Sequence, residues 1–272
     1  MALSRIQQCF KKLSESSRKA LIPYIVGGDP QPDVTVPMMH ALVEAGADIL
    51  EIGVPFSDPM AEGPTIQLAH ERALEYNTSI HDVFAAVSEF RQTDNDTPIV
   101  LMGYANPVVV TGYERFAQLA SDAGVDGLLT VDMPPEEAGD LSAALTAKSI
   151  DIIYLIAPTT TPERMKNICA NATGYVYYVS LKGVTGASNI DIDSVSTKVG
   201  EIRQYTDLPV AVGFGIKDSE SAKAVSQVAD GVVVGSALVN NMAELGNGGI
   251  NDTAQYAKQA VQLIAEMRTA ID

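Results

Sequence analysis

The chain has little cysteine, little positive charge and no long uninterrupted apolar run, and each shortage excludes something. Only Cys9 and Cys169 occur, far apart and without C-x-x-C spacing, so neither a disulfide framework nor a zinc site is suggested. Eighteen basic side chains stand against 34 acidic ones, giving a formal charge of −16 over 272 residues. Such a field repels nucleic acid and anionic membrane surfaces. It also opposes a phosphorylated metabolite at long range. Any phosphate site must therefore be attractive locally, through backbone N–H groups or one well-placed cation. The N-terminal stretch MALSRIQQCFKKLSESSRK lacks the apolar centre of a signal peptide, and no segment approaches a membrane span. A cytoplasmic protein in a reducing compartment is expected. No linker or low-complexity segment, nucleophile elbow, Walker loop, metalloprotease motif or GxGxxG fingerprint is found. His40, His70 and His81 show no ligand spacing with one another, so no metal is expected.

What is there is a regular alternation. The 46% hydrophobic and 19% charged composition describes an ordinary globular chain, and short β-branched runs recur along it, each followed by a polar loop and a helical pattern. The runs are LIPYIVG (21–27), ADILEIG (47–53), PIVLMGY (98–104), GLLTVD (127–132), DIIYLIA (151–157), YVYYVS (175–180), PVAVGFG (209–215) and GVVVGSA (231–237). Their near-continuous apolar character suits parallel strands covered on both faces, with helices as the crossovers. Leu3, Ile6, Phe10 and Leu13 form a stripe for an N-terminal helix, and Tyr256, Ala260, Leu263, Ile264 and Met267 one for a C-terminal helix. Thr161 with Pro162 reads as a helix start, while Gly46 and Gly124 read as helix ends. The joint AGAD (45–48), AGVD (123–126) and ADG (229–231) is the faint repetition of a βα array. Eight βα units behind a leading helix predict a single (β/α)8 TIM barrel domain over residues 1–272; an open doubly wound sheet is the rival, which the strand count disfavours.

In such a barrel chemistry sits where strands end, and there the segment LEIGVPFSDPMAEGPTIQ (50–67) carries carboxylates. Alternation along a strand puts Glu51 on one face with Ile49 and Gly53. Turned inward, it would be desolvated and its pKa raised toward neutrality, as a general acid/base requires. Turned outward, it would pair with a neighbouring Lys or Arg. Asp58 and Glu62 add loop carboxylates, which are usually just solvated, although Pro55, Pro59 and Pro64 argue for a shaped loop. Glycine-rich stretches KGVTGAS (182–188), VGFGIKD (212–218) and VVGSAL (233–238) follow late strands, the recurrent phosphate-binding corner of these barrels. Tyr24, Tyr104 and Tyr177 fall near strand ends, as core packing or as the wall of an apolar pocket.

LEIGVPFSDPMAEGPTIQ, GDP (28–30), GYANP (103–107), VDMPPEE (131–137), SLKGVTG (180–186), GFGI (213–216) and VVGSA (233–237) resemble, in order and spacing, the motifs of the tryptophan synthase α subunit across nearly the whole chain. The resemblance implies retro-aldol cleavage of indole-3-glycerol phosphate to indole and glyceraldehyde 3-phosphate. It implies a β-subunit partner in an α2β2 complex, with pyridoxal phosphate held by that partner and no cofactor in this chain. Glu51 aligns with the acid/base glutamate and Glu62 with the carboxylate that contacts the indole N–H. Tyr177 is similar to a tyrosine near that carboxylate and Thr185 to a lid threonine. Gly186, Gly215, Gly235 and Ser236 resemble the phosphate site, and Tyr24, Met102, Tyr104 and Leu155 the residues flanking the indole. Asp132 and Pro134 resemble a surface that meets the β subunit. Glu62 departs from the pattern, because the family usually has aspartate there; a displacement of about 1 Å or more is costly in a strict geometry. Either the loop is set back to accommodate it or turnover falls. A free-standing indole-releasing lyase and a weakly catalytic allosteric partner of the β subunit are the alternatives.

Overall fold

The computed structural model describes residues 3–180, 191–213 and 215–272. All eight expected strands form: β1 (Ala20–Val26), β2 (Leu50–Gly53), β3 (Ile99–Gly103), β4 (Gly127–Thr130), β5 (Asp151–Ile156), β6 (Val176–Val179), β7 (Val210–Gly213) and β8 (Gly231–Val234). Every neighbouring pair is parallel, β8 returns to β1, and the sheet closes as a barrel with helices around it. The fold is thus a TIM barrel, not an open sheet. The strands end earlier than their apolar runs suggest. Gly235 caps a helix that begins at Ser236, so the last run crosses a strand–helix junction.

Each strand is covered on two sides, which explains the unbroken apolar runs. One set of side chains (Leu21, Ile52, Leu101, Ile152, Val212) packs outward beneath the helices, and the alternate set (Ile22, Val100, Leu129, Ile153, Val233) fills the barrel. The leading helix Arg5–Glu15 begins at a capping box on Ser4. It drives Ile6, Phe10 and Leu13 against the barrel's N-terminal end, where the Phe10 ring lies 5.7 Å from that of Tyr175. Leu3, expected on this stripe, instead precedes the helix and is 47% exposed. The C-terminal stripe belongs to two helices, Thr253–Ala260 and Gln262–Ile271, interrupted at Val261. Thr161 caps the helix opened by Pro162, and Gly124 closes Tyr113–Ala123 at φ +90°, as their sequence signals indicate.

The repeated AGAD, AGVD and ADG joints have a common structural use at the barrel's foot. Asp48 donates its amide to the Leu21 carbonyl and accepts the Leu21 N–H on its carboxylate. Asp126 does the same to Ile99, and Asp230 to Val210. Thr173 performs the fourth such grip on Ile152, with its hydroxyl in place of a carboxylate. These grips fasten alternate seams: β1–β2, β3–β4, β5–β6 and β7–β8. Each aspartate is also matched by a cation: Arg268 at Asp48, Arg91 and Arg5 at Asp126, Arg203 and Lys19 at Asp230. Among the described residues no helix is long and apolar enough to cross a membrane.

Asp126→Ala removes the acceptor of the Ile99 N–H and leaves the Arg91 guanidinium, 8% exposed, without its 2.7 Å carboxylate partner. We predict a loss of roughly 3–5 kcal/mol, as for other broken buried pairs. The check is urea unfolding followed by far-UV circular dichroism; an unmoved midpoint would show that the seam needs no grip.

Candidate active site

Glu51 lies on the inner wall of the barrel mouth. It pairs in register with Tyr24 on β1 and Val100 on β3, and it is fully buried. The Tyr175 hydroxyl donates to Oε1 at 3.4 Å, while Oε2 has no partner among the described residues. Among the described residues no cation pairs with it, and it is turned into the barrel rather than outward to a salt bridge. Burial alone outweighs the tyrosine's help and pushes its carboxyl up to about 8, so it carries a proton at neutral pH. Tyr24, Tyr175 and Tyr177 are buried around it and held well above the usual phenol range by burial first and by the carboxylates second. They remain neutral hydroxyls. Space for two of them comes from glycines at strand ends. A Cβ on Gly53 would sit 2.3 Å from the Tyr24 hydroxyl, and one on Gly213 would sit 2.0 Å from that of Tyr177.

Two cavities open above these side chains. One, about 270 Å³, is lined by Tyr24, Glu51, Glu62, Ile66, Met102, Tyr177, Gly215, Lys217, Gly235, Ser236 and Asn240, among others. Its rim holds the features of an anion site. Gly215 adopts φ +77°, and Gly235 is the N-cap of the helix Ser236–Gly246, whose first amides receive no side-chain cap. Lys217 supplies a positive charge on this wall. The second cavity, about 460 Å³, is largely apolar, with Met102, Val131, Leu155, Tyr177 and Val179 on its walls and Thr159, Thr160 and Arg164 at one side. Glu62, Met102 and Tyr177 border both. The arrangement therefore offers a subsite suited to an anion and an apolar subsite, joined where the Glu62 carboxylate borders both.

Glu62 stands on the loop before the helix Pro64–Glu75, which starts on Gly63 and Pro64. Its carboxylate accepts a hydrogen bond from Tyr104, and burial sets it at about 6, with the tyrosine pulling down and Asp132 pushing up. Asp58, by contrast, is exposed and takes only the neighbouring Ser57 hydroxyl.

Of the residues singled out from sequence, Tyr24, Glu51, Glu62, Met102, Leu155, Tyr177, Gly215, Gly235 and Ser236 converge on the two cavities. Tyr104 lines neither; it stands behind Glu62. Thr185 and Gly186 lie outside the described residues. Sequence reading missed Tyr175, although it shares Tyr177's face in YVYYV, and Asn240, one helical turn beyond Ser236. Lys217 follows Gly215 closely but carries no motif of its own. Among the described residues no group of three or more His, Cys, Asp or Glu side chains is placed to hold a metal. Asp132, proposed for a partner surface, accepts the Ala105 N–H at 2.7 Å.

Comparison with known proteins agrees with this geometry. A family model described as tryptophan synthase alpha chain matches residues 10–271. The tryptophan synthase alpha chain of Thioalkalivibrio sulfidiphilus is 57% identical over 270 residues, covering 99% of this chain and 100% of the relative; that of Marinobacter nauticus is 55% identical, covering 99% and 98%. A crystal structure of tryptophan synthase subunit alpha from Legionella pneumophila superposes with a TM-score of 0.91 at 45% identity, covering 100% of this chain and 99% of that one. Tryptophan synthase from M. tuberculosis, in its aminoacrylate-bound form, follows at 0.86 and 35%, covering 99% and 100%. With its barrel, its paired carboxylates and a match across nearly its whole length, the chain belongs to the tryptophan synthase alpha chain family.

Proposed function

We propose that the chain is a lyase that cleaves indole-3-glycerol phosphate to indole and glyceraldehyde 3-phosphate, working as a single barrel domain beside a β subunit in a cytoplasmic α2β2 complex. The observation that carries this reading is the buried Glu51, its carboxyl raised by burial and one oxygen without a partner among the described residues, on the wall of the cavity whose rim carries the anion-site features.

Indole is a poor carbanion leaving group, so its C3 must be protonated before the side chain can depart. Glu51 supplies that proton. The ring then carries positive charge centred on its nitrogen, which Glu62, as a carboxylate, stabilises through the N–H. The glycerol hydroxyl on the carbon bonded to C3 next gives its proton back to the Glu51 carboxylate. The C–C bond breaks, the oxygen becomes an aldehyde, and the bonding pair returns to the ring as indole. Glu51 ends protonated as it began, so each turnover balances without a cofactor. The phosphate is assigned to Gly215, Gly235 and Ser236 with Gly186, beside Lys217. The ring is assigned to Met102, Leu155 and Tyr177, with Tyr24 at the junction and Thr185 closing from the loop. Pyridoxal phosphate is assigned to the β subunit, where indole condenses with serine.

Assay of the purified chain alone and with a β subunit separates this reading from its alternatives. Fast cleavage alone identifies a free-standing lyase, and no cleavage even with the partner identifies an allosteric subunit. Glu51→Gln should lower cleavage by about 10²–10⁴-fold, the usual worth of a positioned acid/base. Calorimetry should show glycerol phosphate binding unchanged, and near-normal turnover would remove Glu51 from its role.

The pH dependence has a definite sign. Glu51 must hold its proton to start the reaction, so kcat/KM falls as pH rises through about 8; Glu62 must be ionised, so it also falls as pH drops through about 6. A bell between those limits is expected from steady-state rates. A profile flat from pH 5 to 9, a range chosen to span about one pKa unit beyond each limb, would contradict both assignments.

A further inference from the structure

Glu62 is one methylene longer than the residue usual at its place, and the structure shows what its far end meets. The Tyr104 hydroxyl donates to Oε2. This phenol is held from several sides. Its oxygen accepts the Ala61 N–H at 2.9 Å, and its ring stacks on Phe56 with centroids 4.9 Å apart and planes 24° from parallel. Phe56 is itself fixed, because its N–H donates to Nδ1 of His70 at 3.1 Å. His70 is buried, which lowers its pKa to about 4, so it stays neutral and Nδ1 stays an acceptor. Tyr104 follows β3 directly, whereas Glu62 rides on the loop after β2. The phenol therefore ties the loop after β2 to the end of β3.

We infer that Tyr104 is a positioning residue for Glu62: its anchored hydroxyl sets where the longer carboxylate meets the indole N–H and keeps that carboxylate a hydrogen-bond acceptor. The inference rests on the reading of Glu62 given above. It gives the extra methylene a use in the site, since the end of the longer side chain is what meets the phenol. It also moves Tyr104 from flanking the ring to standing behind the group that touches it. Other groups around Glu62 are Asp132 and the Tyr24 phenol, which act on it through space, and Glu51, Lys217, Tyr177 and Arg164 on the cavity walls. All of these persist in a Tyr104→Phe variant, whose ring keeps the Phe56 stack, so the variant removes only the phenol's two hydrogen bonds, the one to Glu62 and the one from the Ala61 N–H, and of these only the first touches a titrating group.

A donor to the ionised form favours that form; removing it raises the pKa of Glu62. For Tyr104→Phe we expect the acid limb of kcat/KM to move up by about one pH unit and kcat to fall about tenfold, with the alkaline limb unmoved. In a Glu62→Asp background, where the shorter side chain no longer reaches the phenol, Tyr104→Phe should cost little more. The independent readout is the carboxyl titration of Glu62 by ¹³C NMR in the free protein. An unshifted Glu62 titration, or a rate loss equal at every pH, overturns the inference. Wild-type cleavage in the same assay judges the proposed reaction separately, and the titration decides the role of Tyr104 whether or not cleavage is seen.

Discussion

A single carboxyl group withdrawn from water governs the chemistry open to this barrel. Glu51 occupies a strand position paired in register with Tyr24 and Val100, and among the described residues it has one long hydrogen bond and no cation. In water such a group would be ionised at neutral pH and useless as a proton donor. Taken out of water, it keeps its proton until something with greater proton affinity arrives. The surrounding tyrosines matter for the same reason. They fill the space around the carboxyl without supplying positive charge, and the glycines at the ends of β2 and β7 let their hydroxyls approach the neighbouring strands.

Glu62 illustrates the complementary solution. It is only partly buried, has a donor at one oxygen and a second carboxylate, Asp132, acting on it, and settles well below Glu51. Two carboxyl groups bordering one cavity thus take opposite protonation states near neutral pH, and their difference in environment does what two different residue types do elsewhere. Phosphate attraction follows a similar economy. In a chain of charge −16, the end of the cavity proposed for the phosphate offers uncapped helix amides, glycine backbone and Lys217 on its rim.

The barrel was legible in the sequence because its strands are buried on both faces and its helices carry capping signals such as Thr161–Pro162. Both are properties of local composition. Strand ends were less legible: apolar character continues past Ile156 into Ala157 and past Val234 across Gly235 into a helix start. The helix break at Val261 leaves no glycine or proline to mark it. Glu51 and the late glycines could be placed because their position along a strand fixes their direction in a barrel. Tyr104 could not, since a residue just past a strand end can face either the cavity or the strand-two loop; the stack of its ring on Phe56 and the Ala61 N–H at its oxygen turn it to the loop. Thr173 went unnoticed for a related reason. It lacks the AGAD-like wording and shares only the geometry.

That geometry gives the barrel an architecture finer than its eightfold appearance. With Asp48, Asp126, Thr173 and Asp230 each gripping the preceding strand through both its amide and its side chain, the foot is fastened in pairs: β1 with β2, β3 with β4, β5 with β6 and β7 with β8. Tyr24 and Glu51, neighbours in register on β1 and β2, belong to one such pair, so the catalytic candidate stands above a seam that a side chain fastens at the foot.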